Sequence, residues 1–302
     1  MASNAKAISG QTFDYIVCGG GTAGCVIAAE LASLPNVSVL LIEAGRDSDK
    51  EGLWELETVP QKQLNGRKLI FLRGRQLGGS SAVNYMALAR GPAADYDDWA
   101  RMVGDDGWSW KNILPLMKQL EDFDPKLPAY LQRLAAPKTR DHGTSGPLKI
   151  GFGDEMVPGI ETFVEACLEN GIPLCPDINS GNPVGVGLAR FNVRDGERYY
   201  AANAWLNESA RKSLQNLTIV TETECDLLHS RNGIVSGVEL YHRPTRENLD
   251  EEDPHLATAS VSVMEKRNAI VHGITVTIPM SMVNPIARGT SRVGFGSSYH
   301  MK

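Results

Sequence analysis

Phe13 to Cys18 is a short apolar run that stops abruptly at glycine, the pattern of a buried parallel strand. Ala23 to Leu34 favours a helix, with small Ala28, Ala29 and Ala32 permitting close approach to a sheet, and Pro35-Asn36 ends it. Val37 to Glu43, "VSVLLIE", is a second buried strand, so the segment predicts a βαβ unit. Further along, Trp110, Ile113, Leu114, Met117 and Leu120 recur at helical spacing behind Ser109, an expected N-cap. That stripe predicts core packing. Ile160, Phe163, Val164, Cys167 and Leu168 form another stripe, stopped by Asn170-Gly171. Leu217 to Glu222 predicts a strand. Asp226–Ser230 and Ile234–Tyr241 flank Asn232-Gly233, a hairpin signal. Residues 243–255 are charge-rich and poor in apolar side chains, which predicts an exposed loop or linker. The sequence contains no internal repeat.

The junction of the first strand and helix reads Gly19-x-Gly21-x-x-Gly24. Gly19 permits a tight turn off the strand. Gly21 lets the backbone approach a pyrophosphate at the positive helix end, and Gly24 lets helix and strand pack closely. Thr22 and Ala23, between them, count with this cradle. Glu43 lies at the end of the second strand, where a carboxylate can accept hydrogen bonds from a ribose. Such a unit predicts a dinucleotide site without separating flavin from nicotinamide. The same residues also suit an ordinary strand-to-helix turn with a solvated Glu43. A second cluster, Gly78-Gly79-Ser80-Ser81, groups backbone N–H donors and hydroxyls as an anion nest or a plain surface loop.

Bulk properties narrow the field. The 302 residues suffice for one large or two ordinary domains. Apolar residues make up 42% and charged residues 22%, the balance of a chain that buries a core. The 36 acidic side chains outnumber 30 basic ones, for a net charge of −6, so a nucleic-acid partner is not expected. Apolar stretches break well before the roughly 18 residues of a membrane span, and the N-terminus lacks an apolar signal core. No membrane association is expected, and a cytoplasmic location is. Cys18, Cys25, Cys167, Cys175 and Cys225 match neither a zinc site nor a CxxC pair, and no metal is expected. The sequons at Asn36, Asn207 and Asn216 are read as chance matches.

Taken together, "DYIVCGGGTAGCVIAAEL", "VLLIEAG", "GRQLGGSSAVNYMALARG" and "DYDDWA…GWSWKNILPLMKQLE" resemble the glucose–methanol–choline (GMC) oxidoreductase family of flavoproteins. "HGTSGPLKI" and "RYYAANAWL" add weaker support, and the resemblance runs from Phe13 to about Tyr241. It implies an α/β fold: a Rossmann-like FAD-binding domain from residues 1–145 and 195–242, an incomplete α+β substrate-binding domain from 146–194 and 255–302, and a linker at 243–254. It implies FAD, with Gly19, Gly21 and Gly24 at the pyrophosphate and Glu43 at the adenosine ribose. Gly79 and Ser80 would lie along the pyrophosphate, and Asn84, Tyr85 and Met86 would approach the flavin ring. Some relatives attach flavin through a histidine in this loop. Asn84 stands in that neighbourhood instead, which implies noncovalent FAD. Cys225 matches a position whose backbone faces adenine in relatives, and an apolar core cysteine is the equally natural reading.

After Tyr241 the chain is expected to depart from the family, omitting a strand and loop that complete the flavin site. Residues from Ala269 onward resemble a later, substrate-domain piece. No motif around the six histidines matches the family's catalytic one, and His142 in "HGTSGP" reads as structural, so no catalytic residue is assigned. Family membership implies oxidation of the CH–OH group of a small-molecule alcohol, with a role in secondary-metabolite biosynthesis by analogy. The alternative is a truncated, catalytically impaired relative or incomplete gene product with a binding or structural role. Uncovered apolar surface is expected to favour a homo-oligomer.

Overall fold

The computed structural model describes residues 5–47, 52–153, 156–231, 234–242, 258–263 and 269–272. The chain forms two compact units, residues 1–83 with 201–302 and residues 84–200.

The first unit is built on a four-stranded parallel sheet in the order Leu217–Val220, Val39–Ile42, Tyr15–Cys18, Ala269–His272. Ile16 pairs with Leu40, and Leu41 with both Val17 and Ile219. Ile16, Val17, Val39, Leu40 and Leu41 are wholly buried, which explains why these segments run apolar without alternating. The connecting helix, Thr22–Ala32, packs through Gly24, Cys25, Ala28, Ala29 and Ala32. Those small side chains bring its axis close to the sheet and to the helix Ala201–Trp205, itself faced with buried alanines. A second sheet runs Thr12–Phe13, Thr258–Val263, Ile234–His242, Thr223–Arg231. Val238 and Leu240 from this sheet meet Ile16, Leu40, Ile42 and Val220 from the parallel one in a single core. A separate antiparallel hairpin joins Leu53–Glu57 to Ile70–Gly74.

The expected single strand over Phe13–Cys18 is two. Asp14 divides it, its Oδ2 accepting from the Ser38 N–H at 2.7 Å and the Ser38 hydroxyl at 2.9 Å. Phe13 then pairs with Val263 in one sheet while Tyr15 pairs with Val39 in the other. The strands flanking Asn232-Gly233 pair antiparallel as a hairpin, although the two turn residues lie outside the described residues. The linker at 243–254 also lies outside them.

Beyond Tyr241 the expectation needs correcting. Ala269–His272 lies parallel to Tyr15–Cys18, and Thr258–Val263 pairs with Ile234–His242. These described pieces of 255–302 join both sheets of the first unit. Sequence alone hid them because a four-residue apolar run has no period that names its sheet.

The second unit contains the helices Ala93–Val103, Trp110–Leu120 and Ile160–Glu169. Short strands tie its loops: Glu121–Phe123 beside Leu148–Ile150, Ala87–Leu88 beside Arg190–Phe191, and Val193–Arg194 beside Glu197–Arg198. Packing therefore groups residues 84–145 with 146–200, so the compact units do not follow the expected boundary at 145. The core here holds Phe123, Leu131, Leu134, Ile150, Phe152 and Val164. The stripe on Trp110–Leu120 is only half-buried, with Leu120 exposed. Ser109 occupies the N-cap position, but its hydroxyl donates to the Asp106 carbonyl. The Trp110 N–H donates to the Asp97 carboxylate instead.

Candidate functional site

The glycine turn of the first unit is shaped by contacts that only glycine permits. Gly19 adopts φ +97° and donates its N–H to the Ile42 carbonyl, binding the turn to the neighbouring strand. A Cβ on Gly24 would lie on the Gly19 carbonyl oxygen. Gly21 is different. It caps the helix at an ordinary φ of −75°, and a Cβ there would meet nothing within 4 Å. Open space therefore lies beside the N-cap of Thr22–Ala32, the end at which the helix carries its positive partial charge.

The fold brings the second glycine cluster to this turn. The Gly78 N–H donates to the Gly20 carbonyl at 2.8 Å. Gly79, at φ +52°, approaches so closely that a Cβ would stand 2.7 Å from the Gly21 Cα. Thr22 ties the clusters together, its hydroxyl donating to the Gly78 carbonyl at 3.4 Å and accepting from the Ser81 N–H at 3.2 Å. Ala23 follows in the first helical turn. The Ser80 hydroxyl accepts from the Gly74 N–H at 3.2 Å. Two glycine clusters separated by more than fifty residues thus meet beside the open face of Gly21, an arrangement of backbone N–H groups of the kind that binds phosphate.

Glu43 sits beneath the turn and is only 6% exposed, not solvated. Its Oε1 accepts from the Gly45 N–H at 2.8 Å, and its side chain packs against Gly20, whose missing Cβ leaves it room. Burial pushes the carboxyl up from 4.5 to about 7, against the pull of the Gly45 and Gly20 N–H groups and the Arg75 charge. Leu77 and Gly20 complete this corner. Neither is in the expected set, although the triple glycine at 19–21 is the signal that could have marked Gly20.

Cys225 lies at a bulge in Thr223–Arg231 and packs on the core of the first unit. Its thiol contacts Cys18, and that hydrogen bond together with burial holds it well above the usual range. Cys25 donates to the Gly20 carbonyl at 3.0 Å, and burial pushes it up to about 12. Both are protonated at neutral pH, and all five cysteines are free thiols.

Asn84, Tyr85 and Met86 belong to the second unit. The Asn84 side-chain oxygen accepts from the Met86 N–H at 2.9 Å and from Arg198 at 3.0 Å, closing a local turn. Met86 adopts φ +63°, and its carbonyl accepts from the Asn192 N–H. Tyr85 is 94% exposed. Of the histidines, His142 is buried between Glu121 and Asp177, and His229 pairs with Glu239 at 3.1 Å. Among the described residues no group of three or more His, Cys, Asp or Glu side chains is placed to hold a metal ion. No helix among them is long and apolar enough to cross a membrane.

Parallel strand order, glycine turn and open helix end define a dinucleotide-binding fold of the Rossmann type. The sequence pattern of GMC oxidoreductases matches residues 13–271. Pyridoxine 4-oxidase of Microbacterium luteolum is 35% identical over 244 residues, 76% of this chain and 46% of that protein. An alcohol dehydrogenase (acceptor) of Pseudomonas putida is 35% identical over 257 residues, 80% of this chain and 44% of its own length. The crystal structure of pyridoxine 4-oxidase from Mesorbium loti superposes with a TM-score of 0.73 at 31% identity, covering 86% of this chain and 49% of that one. An FAD-dependent oxidoreductase from Chaetomium thermophilum gives a TM-score of 0.73 at 27% identity, covering 83% and 44%.

The chain belongs to the GMC oxidoreductase family, and FAD is the cofactor of that fold. It spans about half the length of the relatives it matches. The family match reaches residue 271, so the resemblance does not end near Tyr241.

Proposed function

We propose that the chain binds FAD noncovalently and contributes the cofactor-binding part of an enzyme oxidising the CH–OH group of a small-molecule alcohol. The convergence of the two glycine clusters on the open face of Gly21 carries this reading. Bound FAD supplies a hydride acceptor. The residues present suit it: the N–H groups at the start of Thr22–Ala32 and around Gly79 and Ser80 would hold the pyrophosphate, and Glu43 the adenosine ribose. Cys225 would border the adenine through its backbone. Asn84, Tyr85 and Met86 are the proposed flavin-side contacts, and Asn84 offers no side chain for covalent attachment.

A base for the substrate hydroxyl remains unassigned. His142 has both ring nitrogens on carboxylates, and His229 is paired with Glu239. Among the described histidine side chains, that engagement leaves neither as a free base, which favours a second reading, in which this chain binds the cofactor without turning substrate over. A role in secondary-metabolite biosynthesis and the functional division at residues 145 and 195 stand with this proposal. The experiment is to titrate the purified chain with FAD, then follow flavin absorbance anaerobically with primary, secondary and aryl alcohols. Bleaching supports the enzyme. FAD binding without bleaching supports the second reading, and failure to bind FAD refutes both.

A further inference from the structure

We propose that His142 is held as an imidazolium at the centre of a buried five-group charge chain, and that loss of its proton is a pH-operated loosening of the packing within residues 84–200. The chain runs Arg90, Glu121, His142, Asp177, Arg190, and each member is at most 7% exposed. Arg90 Nη2 donates to both Glu121 carboxylate oxygens at 2.6 Å. Glu121 Oε2 lies 3.3 Å from His142 Nδ1, and Asp177 Oδ2 lies 2.8 Å from Nε2. Arg190 closes the far end at 3.3 Å from Asp177 Oδ1, with its guanidinium 3.8 Å over the Phe152 ring.

The ring nitrogens decide the charge. An ionised carboxylate only accepts hydrogen bonds, so each nitrogen facing one must carry a proton. A neutral imidazole has one N–H and one lone pair. It would turn that lone pair toward Glu121 or Asp177, all three groups being at most 5% exposed. Alternating signs along the chain keep both carboxylates ionised. Burial opposes their charge most strongly, yet His142 and Arg90 hold Glu121 below its usual range, and His142, the Asn179 N–H and Arg190 do the same for Asp177. Burial likewise opposes the His142 charge, and Arg90 repels it, but Asp177 and Glu121 outweigh both and raise it above 6.5. Burial brings Arg190 down to about 10, which leaves it charged at neutral pH.

Every element around the ring enters this balance. Glu121 comes from the strand Glu121–Phe123, whose Phe123 ring lies 4.2 Å from the imidazole centroid. Asp177 and Cys175 come from the loop before Arg190–Phe191, and Arg90 from the segment after Ala87–Leu88. Asp141, next to His142, gives its carbonyl to Arg90 at 2.8 Å and its carboxylate to Arg140 at 3.7 Å. Asn179 accepts from the Arg90 N–H at 2.9 Å and donates to the Leu88 carbonyl at 3.2 Å. The pair Ala87–Leu88 with Arg190–Phe191 is therefore anchored at both ends by groups the imidazolium holds in place.

Because the folded value lies above the unfolded one, the His142 contribution is fully present below about 6.5 and lost as pH rises through the raised value. The test is nitrogen-15 NMR of histidine-labelled full-length chain, with the resonance assigned by His142→Gln. Both ring nitrogens are expected to be protonated at neutral pH and to titrate above 6.5. A neutral tautomer at pH 7 overturns the proposal. In urea unfolding, the wild type should lose stability as pH rises above neutrality, and His142→Gln should remove that loss. An unchanged slope in the variant also overturns it. Should His142→Gln not fold, Asp177→Asn serves, since it keeps an acceptor and removes a charge. His142 should then titrate lower, and an unmoved titration refutes the coupling.

Discussion

Replacing Glu43 by Gln should make the cofactor-free protein more stable and bind FAD less well. The carboxyl is desolvated beneath the glycine turn, and its shift from 4.5 to about 7 corresponds to about 3 kcal/mol. The sign follows from the direction. A buried neutral carboxyl carries no charge penalty, so the stability it preserves is present below 4.5 and is lost as pH rises toward 7. Above that, the folded protein carries a charge it solvates poorly. Gln keeps the shape and one oxygen for the Gly45 N–H, but its amide faces the Gly20 backbone less favourably, at a cost of about 1 kcal/mol. The net gain should be about 2 kcal/mol near pH 8, and at pH 5 the gain should vanish or reverse. Urea unfolding of both proteins at the two pH values measures it. FAD affinity should move the other way, because hydrogen bonds to a charged acceptor are worth about 1.5–3 kcal/mol, or roughly tenfold to a hundredfold in Kd. A stability difference independent of pH would refute the burial argument. Undiminished FAD affinity would refute the assignment of Glu43 to the ribose.

Gly21→Val should cost no more than about 1 kcal/mol of stability, since its Cβ enters open space at an ordinary φ, yet abolish FAD binding by filling the cradle. Denaturation and FAD titration on one preparation check both halves. Gly24→Ala should behave oppositely, destabilising the protein by about 1–3 kcal/mol because its Cβ falls on the Gly19 carbonyl, measured by urea unfolding without cofactor. Arg90→Met leaves Glu121 buried without its bidentate partner and should cost about 3–5 kcal/mol, read from the same unfolding curves.

Local pattern in the sequence determined the parts of this protein that depend on neighbours along the chain. Continuous apolar runs before glycine and before Glu43, with small residues between, suffice for a strand, helix and strand. A parallel pair needs such a crossover, so Tyr15–Cys18 beside Val39–Ile42 was legible. The glycine spacing likewise marked a turn that admits a diphosphate. Tertiary structure decided what depends on distant partners. Only folding sets Gly79 against Gly21, because nothing in either motif encodes the loop that carries one to the other. Only folding buries Glu43, which the sequence left equally able to face water. Ala269–His272 carried no mark of its sheet, since the edge open to it was created by strands more than two hundred residues earlier. His142 could be read as structural, but not as a charge: its proton is fixed by Glu121 and Asp177, and their approach is a property of packing, not of pattern.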